Sequence, residues 1–476
     1  GAVKIVAVNN ANVDKEVTFS FMENYPHLCG EQICARGIAF VALRDMLSDE
    51  KAAKVDALIP DMLGNLYSRQ LGNGGFVLWQ GQNAADPWVT SMAGHFMALA
   101  AAKGYSVSQS VLNSWADFQR KEARSYRRTD SQYADGYDVA QAYRLYTLAL
   151  SGKAEDAAMN RMREAASLTE TARWLLASAY ALSGKKQIAQ TIVGEIMDAG
   201  SKSESGSGVW GVTYGSPARD KAIAVEALVL AERSAQALTL SRELANEFRG
   251  SSYYTTQSTA FAAAAVARLA EKMGDNIVSI EIGEGRRKAV ERNSRSFVSA
   301  SLDLDEKTVE IRNTADNAVY LNVISKLRQP AGQKVLATQE GISMKVSYLG
   351  TDGKAIDVRQ IAQGTDFSIN VKVSGLTSVE SGKNMVLTIP VASGWEIFND
   401  RLYGTDNHLP ADSGHIDYRD DCVNIYFSLA SGSAADFRIR VRASYQGEFT
   451  LPAISCEDMY HPEIHANTES GATAVK

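Results

Sequence analysis

Apolar residues follow two different spacings along this chain, and the switches between them divide it. Residues 1–20 alternate apolar and polar positions, with Val3, Ile5, Val6 and Val8 followed by Val17 and Phe19. That pattern predicts two short strands. From about Leu28 the spacing becomes helical, and 33–43 is apolar almost all round, which predicts a buried helix. Segments of the same period recur at 88–103, 111–123, 139–150, 171–182, 217–233 and 257–272, divided by Gly, Ser and Asn turns. Ser216-Pro217 reads as a helix start, serine capping and proline at the first helical position. About ten to twelve helices are expected with no strand between them, which excludes an alternating α/β fold. Helical hairpins in that number can close into a ring. After Gly274 strand periodicity returns, at 296–304, 309–312 and 318–327, and a second β-rich portion begins near Gly341. There 367–373 and 437–442 alternate cleanly, as strands with one wet face do.

Composition narrows the class without choosing a function. The chain has 476 residues, 45% hydrophobic and 22% charged, with a net charge of −6. Length predicts two to four domains. No basic stripe points to nucleic acid, and no apolar run approaches a membrane span. The start, Gly1-Ala2-Val3, reads as an expression scar or a processed end, so the chain is expected to be a piece of something larger. Four cysteines do not make a disulfide scaffold. Cys422 and Cys456, both in the β-rich end, could pair, while Cys34 is expected to be an inert core thiol. The six histidines, His27, His95, His408, His415, His461 and His465, show no zinc spacing. No cofactor or metal is expected.

One stretch carries unusual chemistry: Tyr25-Pro26-His27-Leu28-Cys29-Gly30-Glu31-Gln32. The Cys29 sulfur can attack the side-chain amide carbon of Gln32, expel ammonia and close a thioester. Gly30 supplies the backbone freedom that a small ring needs. The acyl group formed survives only where water is excluded. At a helix start, the positive end would stabilise negative charge on the sulfur or the carbonyl oxygen. Glu31 lies inside the ring and is expected to shape the turn. His27 reads as a solvated turn residue. The alternative is that Cys29 is simply a buried cysteine.

Cys-Gly-Glu-Gln after an aromatic-proline pair resembles the thioester motif of the alpha-2-macroglobulin and complement family, its bacterial branch most closely. Three further stretches resemble that branch, Gly74 to Trp79, Tyr214 to Asp220 and Tyr254 to Ala260, while Gly74-Gly75-Phe76 and Gly208-Val209-Trp210 resemble the glycine-glycine-aromatic turns of α/α toroids. The resemblance implies a multidomain α + β chain. An α/α toroid at 21–274 would carry the thioester and interrupt a CUB-like β domain formed by 1–20 and 275–335. An antiparallel, macroglobulin-like β-sandwich would follow at 336–476. It implies that Met459 and Tyr460, with Tyr25, shield the thioester. It also implies a single-use, broad-spectrum protease trap rather than an enzyme, capturing lysine amines of proteases in the periplasm or at the cell envelope. Anchoring to a membrane would come through a missing amino-terminal region. The stretch that holds a histidine in hydroxyl-reactive complement proteins corresponds to Ser131 to Asp138, which has none, favouring amines over hydroxyls. Two other readings share parts of this pattern: a thioester adhesin that bonds host-surface amines, and an α/α-toroid enzyme in which Cys29 is structural and acids such as Asp135 and Asp138 form a dyad.

Overall fold

The computed structural model describes residues 2–8, 15–165, 167–199, 211–250, 255–273, 278–284, 290–294, 297–302, 309–316, 319–326, 334–375, 382–399, 413–461 and 463–476. The turn at Gly208-Val209-Trp210, Tyr254 and His408 lie outside the described residues. The chain falls into two units, Gly1–Arg328 and Gln329–Lys476.

In the first unit, the helices among the described residues run in order as α1 (Lys15–Asn24), α2 (Gly30–Leu43), α3 (Asp49–Tyr67), α4 (Pro87–Ala102), α5 (Gln109–Ser125) and α6 (Ala134–Leu150). They continue as α7 (Asp156–Arg163), α8 (Glu170–Leu182), α9 (Lys186–Ala199), α10 (Pro217–Leu230), α11 (Ser234–Gly250) and α12 (Thr256–Met273). Neighbours pack α2 on α4, α4 on α6, α6 on α8, α8 on α10, α10 on α12 and α12 back on α2, so every second helix joins a closed inner ring. The remaining helices pack outside it. Sequence explains the division: α2, α4, α6 and α12 bury residues on every side, whereas α5 and α7 bury one stripe. Each inner helix starts at the same end of the ring, since each returns through an outer antiparallel partner. The functional stretch sits at that end.

The expected second strand near residue 19 is instead helix α1. Its buried positions are Lys15, Thr18, Phe19 and Met22, spaced three and four apart as one helical face requires. Val17, half of the apparent alternation, is 38% exposed. The first strand is present as β1 (Ala2–Val8).

Five further strands follow the ring: β2 (Val278–Glu284), β3 (Val290–Ser294), β4 (Phe297–Leu302), β5 (Val309–Asn313) and β6 (Tyr320–Lys326). They form two three-stranded sheets, ordered β4-β1-β6 and β3-β2-β5. Strand β1 is central, with Ile5 opposite Ala300 on one side and Val323 on the other. A strand from the start of the chain is thus built into a sheet whose partners come after the helices. Val278, Ile280, Ile282, Val298 and Ala300 form the core of this small β structure.

The second unit is β-rich and mostly antiparallel, with a parallel pair between Gly471–Val475 and Gln360–Ile361. A four-stranded sheet orders Trp395–Ile397, Ala434–Ala443, Asp366–Gly375 and Ile342–Gly350. A six-stranded sheet orders Ser413–Tyr418, Cys422–Leu429, Gly382–Pro390, Ser455–Asp458, His465–Asn467 and Thr338–Glu340. The two sheets enclose a core that includes Phe367, Ile369, Val371, Phe437, Ile439, Leu387 and Ile425. The alternating stretches read from sequence face each other, Ile369 opposite Ile439 and Val371 opposite Phe437.

The expected Cys422–Cys456 pairing is not made, and all four cysteines are free thiols. Cys422 lies opposite Pro390 and Cys456 opposite Leu387, on the two strands that flank Gly382–Pro390. Two strand spacings separate them by roughly 10 Å, beyond the reach of a disulfide. Their partners are three residues apart, so the two side chains also point to opposite faces. Only Cys456 belongs to the sandwich core.

Candidate functional site

Cys29 is the N-cap of α2, with extended backbone angles (φ −71°, ψ 172°). Gln32, the third residue of the helix, bends its side chain back so that its Oε1 accepts a hydrogen bond from the Cys29 backbone N–H at 2.9 Å. In return the Cys29 sulfur accepts from the backbone N–H groups of Glu31 and Gln32. This is a reciprocal capping box with cysteine in the place of serine. It brings the glutamine amide to the cysteine without any departure from helical backbone beyond the cap. Cys29 is 1% exposed and Gln32 is fully buried.

Gly30 is required by space. A Cβ there would stand 2.5 Å from the Val77 carbonyl oxygen and 2.9 Å from Val89 Cγ1. Its N–H donates to the Leu78 carbonyl at 2.7 Å, so the 74–79 turn is clamped onto the first turn of α2. Arg69 donates through Nη2 to the Leu28 carbonyl at 2.9 Å. From the last helix of the ring, Thr256 donates through Oγ1 to Glu31 Oε2 at 3.0 Å, closing α12 onto α2. Glu31 is fully buried.

Burial, and after it the Glu31 carboxylate, push the Cys29 thiol well above its usual range. The two backbone N–H donors and Arg69 act the other way and are outweighed. The expected help from the helix start is present in direction, then, but desolvation wins. A free thiol here stays protonated and is a poor nucleophile, and the same desolvation disfavours departure of a thiolate while the site stays closed. Cys34, also fully buried, is pushed the same way.

A second polar group stands at the same end of the ring. Asp86 caps α4, its Oδ1 accepting from the Trp88 and Val89 N–H groups at 2.9 Å. Its Oδ2 accepts from the Tyr214 hydroxyl at 2.7 Å. Arg219 lies buried behind them, donating to Gln257 Oε1 at 2.9 Å and to the Thr213 carbonyl at 3.1 Å, with its guanidinium over the Trp88 ring. The stretches at 74–79, 214–220 and 255–260 therefore converge on the start of α2. Sequence reading quoted Tyr214 within a stretch without giving it a role and missed Asp86 and Arg69. Asp86-Pro87-Trp88 carries a helix-start signature, an acidic cap before proline, that could have marked Asp86 as the cap of the helix expected at 88–103.

Other sequence candidates fall out differently. His27 is buried (4% exposed), not solvated, because the turn folds back and sets its ring edge-on to Tyr25 at 5.6 Å. Asp135 and Asp138 both face Arg128, and Asp138 accepts from the Tyr126 hydroxyl at 2.7 Å, a structural clamp rather than an acid/base dyad. Met459 and Tyr460 form the turn after Ser455–Asp458, where Asp458 Oδ1 accepts from the Tyr460 and His461 N–H groups. Both are buried, yet neither belongs to the sandwich core. Among the described residues no helix is long and apolar enough to cross a membrane.

Deeper in the ring, His95 bonds the Tyr143 hydroxyl through Nδ1 at 2.9 Å. Tyr146 lies at 3.5 Å from its Nε2 and donates to Glu226, which Arg268 also holds. Burial first, with Arg268 adding and Glu226 opposing, lowers His95 to about 4. The unfolded chain binds this proton near pH 6.5 and the folded one only near 4, so stability is lost as pH falls through that window. The gap is worth on the order of 3 kcal/mol. Melting temperatures measured from neutral to acid pH should fall across it, and His95→Asn should remove that part of the slope.

Comparison with known proteins adds to this geometry. Residues 341–463 match the family described as the bacterial alpha-2-macroglobulin MG10 domain. Curated relatives include the alpha-2-macroglobulin of Xylella fastidiosa, 24% identical over 92% of this chain and 28% of its own length. That of Escherichia coli is 22% identical over 94% of this chain and 28% of its own. The chain thus spans about a quarter of these relatives' length. Among solved structures, native E. coli alpha-2-macroglobulin from domain MG7 to the C-terminus matches all of this chain and 77% of that one, with a TM-score of 0.82 at 19% identity. Salmonella alpha-2-macroglobulin reacted with methylamine matches all of this chain and 32% of that one, with a TM-score of 0.79 at 19% identity.

Proposed function

We propose that this member of the bacterial alpha-2-macroglobulin family captures proteases covalently, through a thioester between Cys29 and Gln32. The observation that carries the reading is the Gln32 side chain folded back onto Cys29 in a water-excluded first helical turn. Closing the bond joins Sγ to the Gln32 amide carbon and releases ammonia. Opening it by an amine forms an amide at that carbon and returns the thiol, a single-use event without turnover.

In this reading the chain is the carboxy-terminal part of a longer inhibitor. A protease cuts a bait segment upstream, the β domains shift, and Tyr25, Met459 and Tyr460 leave the acyl bond that they shield. Large apolar groups such as these over an acyl bond would exclude water while remaining a removable lid. A protease lysine then attacks. The β structure split around the ring corresponds to the CUB-like domain and the second unit to the macroglobulin-like sandwich. The periplasm or cell envelope, with an anchor upstream, is the proposed setting.

Protease added to the full-length protein should yield a conjugate that survives boiling in denaturant and thiol. Methylamine treatment beforehand should remove it. Bait cleavage without any conjugate, in protein whose bond is closed, would contradict the trap. Conjugation to surface amines with no cleavage would favour an adhesin.

A further inference from the structure

We propose that Tyr214 and Asp86 are the pair that takes the proton from the incoming amine and so favours ammonium-bearing side chains over hydroxyls. The inference rests on the thioester reading above and adds two residues to it. Helices α2 and α4 meet at their first turns, where Gly30 leaves room for Val89. The N–H of Val89 is held by Asp86 Oδ1, and Asp86 Oδ2 holds the Tyr214 hydroxyl at 2.7 Å. One carboxylate therefore caps the helix that packs on the first turn of α2 and holds the Tyr214 hydroxyl at the same end of the ring. Tyr214 keeps a backbone φ of +50°, a region that costs a non-glycine residue strain and that recurs at functional sites. Tyr214 and Asp86 are half-buried residues, whereas Cys29, Gln32 and Glu31 are buried. Cys29 and Glu31 are the acidic groups that act on Tyr214 beyond Asp86 itself. Burial raises the proton affinity of Asp86, and Tyr214 is held far above its usual range. The phenol thus passes a proton on rather than carrying a charge.

The step balances as follows. A lysine ammonium gives one proton to the Tyr214 oxygen while that hydroxyl hands its own to Asp86 Oδ2. The amine nitrogen bonds the Gln32 acyl carbon, the carbon–sulfur bond breaks, and Sγ takes the nitrogen's second surplus proton to become a thiol. A hydroxyl nucleophile brings no cationic charge for Asp86 to attract.

The test compares the wild-type chain, Tyr214→Phe and Asp86→Asn. Asparagine retains the helix cap, and melting curves check that each variant folds. Intact mass first establishes the closed bond in each protein. Methylamine uptake is then followed by mass against pH, below about pH 10 where methylamine is mostly ammonium. Wild-type uptake should be nearly flat above neutral pH. Both variants should be slower by at least about tenfold near neutrality and should track the neutral amine, gaining about tenfold per pH unit. Closed bonds with superimposable profiles would overturn this pair and leave the thioester standing. A wild-type chain that never carries the bond would overturn both.

Discussion

Cys29→Ala abolishes amine uptake altogether, with no residual fraction, while the chain melts close to wild type. The expectation follows from the site's construction. Only Cys29 offers a sulfur against the folded-back Gln32 amide, whose Oε1 lies 2.9 Å from the Cys29 nitrogen. The second thiol on α2, Cys34, lies beyond the first turn and within the ring's hydrophobic core. Alanine retains the backbone N–H that holds Gln32 and removes only the sulfur, whose loss at a buried site costs roughly 1–2 kcal/mol. Radiolabelled methylamine after denaturation gives the readout. Label retained by the variant would place the acyl bond elsewhere.

Gly94→Ala is expected to have the largest effect on stability. An added Cβ would stand 1.9 Å from Trp115 Cζ2 and 2.3 Å from its Cε2. Trp115 is fully buried and donates through Nε1 to the Thr90 carbonyl at 2.8 Å. The indole has to leave that position. Overpacking costs about 1–3 kcal/mol, and a buried indole N–H parted from its acceptor about 1–3 more. Alanine's better helix propensity returns only about 1 kcal/mol, so a net loss of about 1–5 kcal/mol is expected. Urea unfolding followed by tryptophan fluorescence measures it. A variant as stable as wild type would mean that α4 and α5 can separate freely, against the packing described.

The ring and the sandwich were legible because their periods are strong. Inner helices apolar on every side and strands that alternate without a break leave little choice of element. Helix α1 was misread because Val17 and Phe19 mimic alternation over a short span, although Lys15, Thr18, Phe19 and Met22 mark a helical face. The cysteine pairing failed for another reason. Register and facing decide it, and neither can be read from two cysteines on separate strands. At the functional site, the chemistry of Cys29 and Gln32 was local and therefore visible. The groups around it come from afar: Tyr214 reaches Asp86 across 128 residues and Thr256 reaches Glu31 across 225. Only closure of the ring, α12 onto α2, brings them together. The buried state of His27 likewise depends on how the turn folds back on Tyr25.

Intact mass with and without methylamine, beside a thiol count in denaturant, tests the central claim most directly. Freshly made protein with its upstream domains should weigh one ammonia less than its sequence. On treatment it should gain one methylamine and expose one additional thiol, at Cys29. A protein of full sequence mass, inert to methylamine and with the Cys29 thiol free from the outset, would contradict the account.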